Sequence, residues 1–228
     1  MREPTPAIEA IRLCRWLSGR AVLRELDLVV AAGELVALTG ANGAGKTTLL
    51  KCLAGLARPL SGEVRWFGEP ARGNPAARSR IGMVSHETAL YPHLSLRENL
   101  RFAARMGGVA EPCQRADRWL SRTGLVPHAD RLPGCVSRGM RQRIAVARAL
   151  IHDPAIVLFD EPFSGLDQEG STWLVDLLVE LRHQGRAICL VSHDPTRTGE
   201  LADTVYELRG GKAYRIASTP QQTSARAA

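Results

Sequence analysis

The chain has 228 residues, with 30 basic against 23 acidic side chains and a formal net charge of +7. Hydrophobic residues make up 45% and charged residues 23%, the balance of an ordinary globular domain. This excludes a disordered chain, a collagen-like chain and a disulfide-dense mini-protein, and no run approaches the roughly 20 apolar residues of a membrane span.

Ile8–Leu13 and Val22–Val30 read as strands of an antiparallel layer. Leu35–Leu38 is a short apolar run that ends in a glycine-rich turn, and a helix is expected from Lys46 to about Leu56, closed by Arg58-Pro59. Strand patterns recur at Glu63–Phe67, Ile81–Val84, Ile156–Phe159 and Ala187–Val191. Strands and helices therefore alternate, which predicts an α/β fold. From about Glu87 to Asp153 the pattern is mainly helical. Ser95-Leu96-Arg97-Glu98 has the spacing of a capping box, so a helix should begin there. Met140, Ile144, Ala147 and Ile151 then recur at helical spacing, as a helical insertion into the α/β core. Trp173, Leu174, Leu177, Leu178 and Leu181 form an apolar stripe that belongs to the core. The tail from about Ala217 is small and polar, and disorder is expected there. No internal repeat is present.

All but Lys46, Lys51 and Lys212 of the basic residues are arginine. We read this as compositional bias rather than a polyanion site, and expect no nucleic-acid partner. Cys14, Cys52, Cys113, Cys135 and Cys189 are odd in number and lack a C-x-x-C pair, so buried thiols in a reducing compartment are expected. Met1-Arg2-Glu3-Pro4-Thr5-Pro6 lacks the apolar run of a signal peptide, so the chain is expected in the cytosol.

Two motifs carry chemistry. Gly40-Ala41-Asn42-Gly43-Ala44-Gly45-Lys46-Thr47-Thr48 fits G-x-x-x-x-G-K-[ST] and lies between an apolar strand and a helix. Its glycines let backbone N–H groups wrap phosphates, and the helix N-terminus adds a positive dipole end. Lys46 can reach the β- and γ-phosphates of a nucleotide, and the Thr47 hydroxyl can ligate Mg²⁺. Ile156-Val157-Leu158-Phe159-Asp160-Glu161 is a buried strand ending in two carboxylates. Asp160 is expected to hold Mg²⁺, and Glu161 to act on the attacking water as general base or to orient it.

Between these motifs Val136-Ser137-Arg138-Gly139-Met140-Arg141-Gln142-Arg143 resembles the L-S-G-G-Q-x-Q-R signature of ATP-binding cassette (ABC) ATPases. Phe163-Ser164-Gly165-Leu166-Asp167 is similar to their D-loop, and Val191-Ser192-His193-Asp194 to their switch-histidine segment. Order and spacing match over about residues 7–216. The resemblance implies a P-loop NTPase (RecA-like) core with an antiparallel β layer and an inserted helical subdomain. One nucleotide-binding domain would span residues 1–216, with its helical subdomain at about 87–153 and a disordered tail at 217–228. It also implies that two such domains close head-to-tail around two ATP molecules, the phosphate loop of one facing the signature of the other. Ser137 and Gly139 would then meet the γ-phosphate, and Asp167 would lie at the same interface or simply cap a helix. His193 would hydrogen-bond the γ-phosphate. An aromatic residue near the N-terminus stacks on adenine in the family; the frame is one residue loose here, and Trp16 is the expected platform. Separate transmembrane permease subunits would hold the chain at the cytoplasmic face of the cell membrane.

Three departures narrow the resemblance. Arg138 and Met140 replace Gly and Gln of the signature, and His86 stands where the family has its Q-loop glutamine. Imidazole suits Mg²⁺ poorly, so His86 is expected to bond a metal-bound water, or the γ-phosphate when protonated. Together these resemble the ATP-binding subunit of the haem exporter of cytochrome c biogenesis. Other export-type ABC ATPases, for a drug, a lipid, a polysaccharide or metal-site assembly, share every motif. A non-transport ABC ATPase is the remaining alternative.

Overall fold

The computed structural model describes residues 5–218. Strands β1 (Ile8–Leu17) and β2 (Arg20–Val30) form an antiparallel hairpin around Ser18-Gly19. Both turn residues have positive φ (47° and 77°), the conformation of a tight hairpin turn that matches strand twist. β3 (Leu35–Thr39) leads into the phosphate loop and α1 (Lys46–Leu53). α1 stops before the expected Leu56. Gly55 takes φ +67°, and the Leu56 N–H donates to the Lys51 carbonyl at 2.8 Å, a left-handed C-terminal cap. A Cβ on Gly55 would lie 2.8 Å from the Trp66 ring, so glycine is required there twice over.

β4 (Ser61–Trp66) and the short β5 (Glu69–Pro70) return to the antiparallel layer, whose order is β2-β1-β4-β5. Its core tryptophan is Trp66, 1% exposed, with the indole N–H donating to the Leu53 carbonyl at 2.8 Å. A single turn, α2 (Pro75–Arg78), precedes β6 (Ile81–Val84). The helical segment then comprises α3 (Leu96–Met106), α4 (Pro112–Arg122) and α5 (Arg138–Leu150), with two 3₁₀ turns between the last two. The capping box at Ser95 and Glu98 forms in full. β7 (Ile156–Asp160), α6 (Gln168–His183), β8 (Ala187–Val191) and α7 (Pro195–Leu201) follow. The closing hairpin β9 (Thr204–Arg209) and β10 (Lys212–Ser218) has no counterpart among the expected strands. β10 also takes the first two residues of the expected tail; residues 219–228 lie outside the described ones.

The second sheet has the order β10-β9-β3-β8-β7-β6, parallel except for the β9–β10 pair. Every residue of β7 and β8 is buried, as expected of a sheet covered on both faces. Strand alternation divides two cores. Val157, Phe159, Ile188 and Leu190 face α3–α6, including Leu174, Leu177, Leu178 and Leu181. Ile156, Leu158, Ala187, Cys189 and Val191 face α1 and the antiparallel layer. Cys52 and Cys189 are buried thiols, and burial pushes the pKa of both upward. Cys14 is half-buried, and Cys113 and Cys135, on α4 and a 3₁₀ turn of the helical segment, instead lie at the surface.

Candidate active site

Neighbouring parallel strands β3, β8, β7 and β6 run the same way, so their carboxyl ends share one edge. That edge is where open α/β sheets place ligands. β3 delivers the loop 40–45, β8 delivers His193, β7 delivers Asp160 and Glu161, and β6 delivers His86. A cavity of about 520 Å³ lies there, lined by Asn42, Gly43, Gly45, Lys46, Thr47, Thr48, His86, Asp160, Glu161 and His193.

Glycine at two loop positions is dictated by sterics. Gly40 has φ +133°, and a Cβ there would lie 2.5 Å from the Leu208 carbonyl oxygen. Gly45 has φ +103°, and its Cβ would lie 2.8 Å from Val22 Cγ1. α1 therefore starts on a left-handed glycine, with no side-chain cap and no acidic residue in its first turn. Its free N–H groups and dipole face the cavity unopposed, which is an anion site. Lys46 is 7% exposed and folds over the loop, donating to the carbonyls of Gly40 at 2.7 Å and Ala41 at 3.1 Å.

Asp160 ends β7 and is 1% exposed; its Oδ2 has no hydrogen-bond partner among the described residues. An unsatisfied buried carboxylate oxygen is costly, and a hydrated cation would satisfy it. No group of three His, Cys, Asp or Glu side chains gathers as a self-sufficient metal site among the described residues. One carboxylate and the Thr47 hydroxyl, with nucleotide phosphates, are nevertheless the oxygen donors that suit Mg²⁺.

Glu161 has φ +53°, a strained backbone for a non-glycine residue. Its N–H donates to the Val191 carbonyl at 3.1 Å, and its carboxylate lies 3.0 Å from His193 Nε2. Burial pushes the Glu161 pKa upward; His193 pulls it back, neighbouring Asp160 raises it further, and Lys46 lowers it.

Not every expected site residue meets in this cavity. Trp16 is 54% exposed and is absent from the lining, whereas Leu17 and Val22 form its apolar wall. In the hairpin Trp16 pairs with Ala21 and Leu17 with Arg20, so the two occupy successive positions of β1, where side chains alternate between faces. Ser137, Gly139 and Asp167 also lie off the cavity of their own chain. Ser137 caps α5, accepting from the Met140 N–H at 3.1 Å. Asp167 caps α6, accepting from the Gly170 N–H at 2.8 Å. That bond, with help from Arg143, holds its carboxyl below the usual range. Ser164, absent from the expected site residues, does line the cavity; its sequence signals were its place in the D-loop-like segment and three residues after Glu161.

The sequence model of a family described as ABC transporter matches residues 23–164. The chain belongs to the ABC transporter family. Aliphatic sulfonates import ATP-binding protein SsuB 1 of Xanthomonas axonopodis pv. citri is 40% identical over 202 residues, 87% of this chain and 79% of its own. ABC transporter ATP-binding protein NatA of Bacillus subtilis is 37% identical over 198 residues, 85% of this chain and 80% of its own. A dimeric ATP-binding cassette in a post-hydrolysis state with ADP and Pi superposes with a TM-score of 0.84 at 25% identity. That alignment covers 92% of this chain and 98% of the other. The ABC transporter fold expected from the motifs, a P-loop core with an antiparallel layer, is therefore the observed one.

Proposed function

We propose that this cassette hydrolyses ATP to drive a transporter whose membrane-crossing subunits are separate chains. The supporting observation is the convergence of Lys46, Asp160, Glu161, His193 and His86 on one cavity at the carboxyl edge of the sheet. Backbone N–H groups of the loop 40–45 and of α1 grip the phosphates, with Ala41 and Ala44 contributing backbone alone. Lys46 exchanges its two carbonyl partners for the β- and γ-phosphates. Thr47 and Asp160 would hold Mg²⁺, which when bound would neutralise phosphate charge. Glu161 takes the proton of the attacking water on its carboxylate, a task that its raised pKa suits. His193, 3.0 Å away, steadies that carboxylate and reaches the γ-phosphate. Leu17 and Val22 give the base an apolar wall, and Thr48 and His86 are placed to bond phosphate.

Ser137, Gly139 and Asp167 lie off the cavity of their own chain, so they serve a second copy in a head-to-tail pair. Among the described residues no helix is long and apolar enough to cross a membrane. Attachment to the cytoplasmic face of the cell membrane then comes from the permease subunits, which dock beside His86 and the helical segment 87–153. For direction and cargo we propose export of the haem-exporter type in cytochrome c biogenesis, supported by Ser85-His86-Glu87 and by Arg138 and Met140 in the signature. Import is the second reading, favoured by relatives such as the sulfonate import protein and the glutamate/aspartate import protein GltL of Escherichia coli, 36% identical over 205 residues.

Two measurements test these levels separately. Lys46→Ala should lose most affinity for a fluorescent ATP analogue, because a nearly buried charge partner of the phosphates is removed; unchanged affinity takes Lys46 out of the site. A mild-detergent pull-down from native membranes should recover permease subunits. Haem absorbance in the eluate supports the export reading, and a solute-binding protein in it overturns that reading in favour of import.

A further inference from the structure

The signature segment carries an arginine, Arg138, at the first residue of α5. A cation there opposes the positive end of the helix dipole, and among the described residues Arg138 has no carboxylate partner to offset it. Its guanidinium instead donates from Nη2 to Ser164 Oγ at 2.7 Å, and Ser164 lines the nucleotide cavity. The rest of the side chain lies along Gly165: a Cβ at that glycine, which has φ +81°, would sit 2.6 Å from Arg138 Cδ. The two backbones also touch, since a Cβ on Gly139 would lie 2.9 Å from the Gly165 carbonyl oxygen. Ser164 in turn belongs to the turn that starts at Glu161, its N–H donating to the Glu161 carbonyl at 3.1 Å.

These contacts form one chain of side-chain and backbone bonds: Arg138, Ser164, then the strained Glu161. We propose that Arg138 is a positioning residue that acts through Ser164 to hold the Glu161 turn in its working geometry. It makes the orientation of the helical segment a determinant of hydrolysis in the same chain. The guanidinium suits this task because its planar fork fixes direction as well as distance. A glycine at the same place makes no such side-chain bond. The inference rests on the proposed role of Glu161, and it adds a dependence on residue 138 that the family signature, with glycine there, does not imply.

The test is a double-mutant cycle on the full chain, with ATP turnover and nucleotide affinity measured for each variant and folding monitored by thermal melting. Arg138→Ala is expected to lower kcat about tenfold with KM for ATP changed less than about twofold. Ser164→Ala should do the same, and the double variant should be no worse than either single one. Arg138→Lys, which keeps the charge and loses the fork, should recover only part of the rate. Losses that multiply in the double variant, or a loss carried by KM, would overturn the proposal, as would wild-type turnover in Arg138→Ala. Ser164→Ala removes a single oxygen, so it keeps the cycle readable if Arg138→Ala melts early. Glu161→Gln, run in parallel, separates the two claims: normal turnover in that variant defeats the role of Glu161 itself, whereas a dead Glu161→Gln beside an unaffected Arg138→Ala defeats only the positioning role.

Discussion

Glu161 is the proposed general base, and its environment sets a pH dependence. Burial raises its pKa above the ordinary value, so the folded chain holds a proton that the unfolded chain releases. Its contribution to stability is therefore present at low pH and lost as pH rises through the raised pKa. The base function has the opposite profile, appearing only as the carboxylate ionises. The acid limb of turnover should accordingly lie above the usual carboxylate region near ~4.3. His193 is the strongest influence pulling the value down, so His193→Ala should move that limb further up. Single-turnover hydrolysis across pH measures it, and a downward move contradicts the electrostatics. Glu161→Gln should retain ATP binding while turnover falls about 10²–10⁴-fold, because an amide can orient water without accepting its proton; phosphate release reports this directly.

Elements carry the site through their ends. α1 presents its first turn to the cavity because Gly45 starts it in a left-handed conformation packed on Val22. Gly45→Ala should abolish nucleotide binding through both strain and the 2.8 Å overlap with Val22, while an equilibrium titration of Gly43→Ala should show a milder loss, since no atom lies within 4 Å of a Cβ at Gly43. α3 depends on a reciprocal cap: the Ser95 hydroxyl accepts from the Glu98 N–H, and the Glu98 carboxylate accepts from the Ser95 N–H at 2.7 Å. These bonds hold the Glu98 carboxyl below its ordinary pKa. Ser95→Ala should cost about 1 kcal/mol, read as a lower urea midpoint with an unchanged slope.

At the scale of the whole molecule, the cavity is open, and Ser137, Gly139 and Asp167 of the same chain lie outside its lining. In the head-to-tail arrangement proposed above, a second copy closes over the nucleotide. With ATP, the Glu161→Gln chain should elute from a sizing column as a dimer, since the nucleotide is held and not consumed; with ADP it should elute as a monomer. Light scattering that finds a monomer in both conditions would remove the head-to-tail arrangement. The proposed contact with permease subunits should resist high salt, because charge attraction alone is screened within about 10 Å. Complete release by salt would point to electrostatic adsorption of an arginine-rich surface instead.

The sequence by itself determined what depends on neighbours along the chain. The glycines of the phosphate loop, the capping box at Ser95, the apolar strand ending in Asp160-Glu161 and the helical spacing from Met140 to Ile151 are local patterns, and the fold realises each of them. Family likeness added the pairing of distant motifs, and the alternation of strands and helices gave the α/β class. Only the tertiary structure decided which face of β1 meets the cavity. The hairpin, closed by the Ser18-Gly19 turn, places Leu17 at the cavity wall and leaves Trp16 outside the lining. It also revealed the β9–β10 hairpin, whose strands TVYELR and KAYRIAS lack a long apolar run. The bond from Arg138 to Ser164 joins residues 26 apart in sequence and exists because the β7–α6 turn packs on the first turn of α5 through two glycines. Periodicity and capping act over a few residues, whereas register and close approach are properties of surfaces that meet only after the chain has folded.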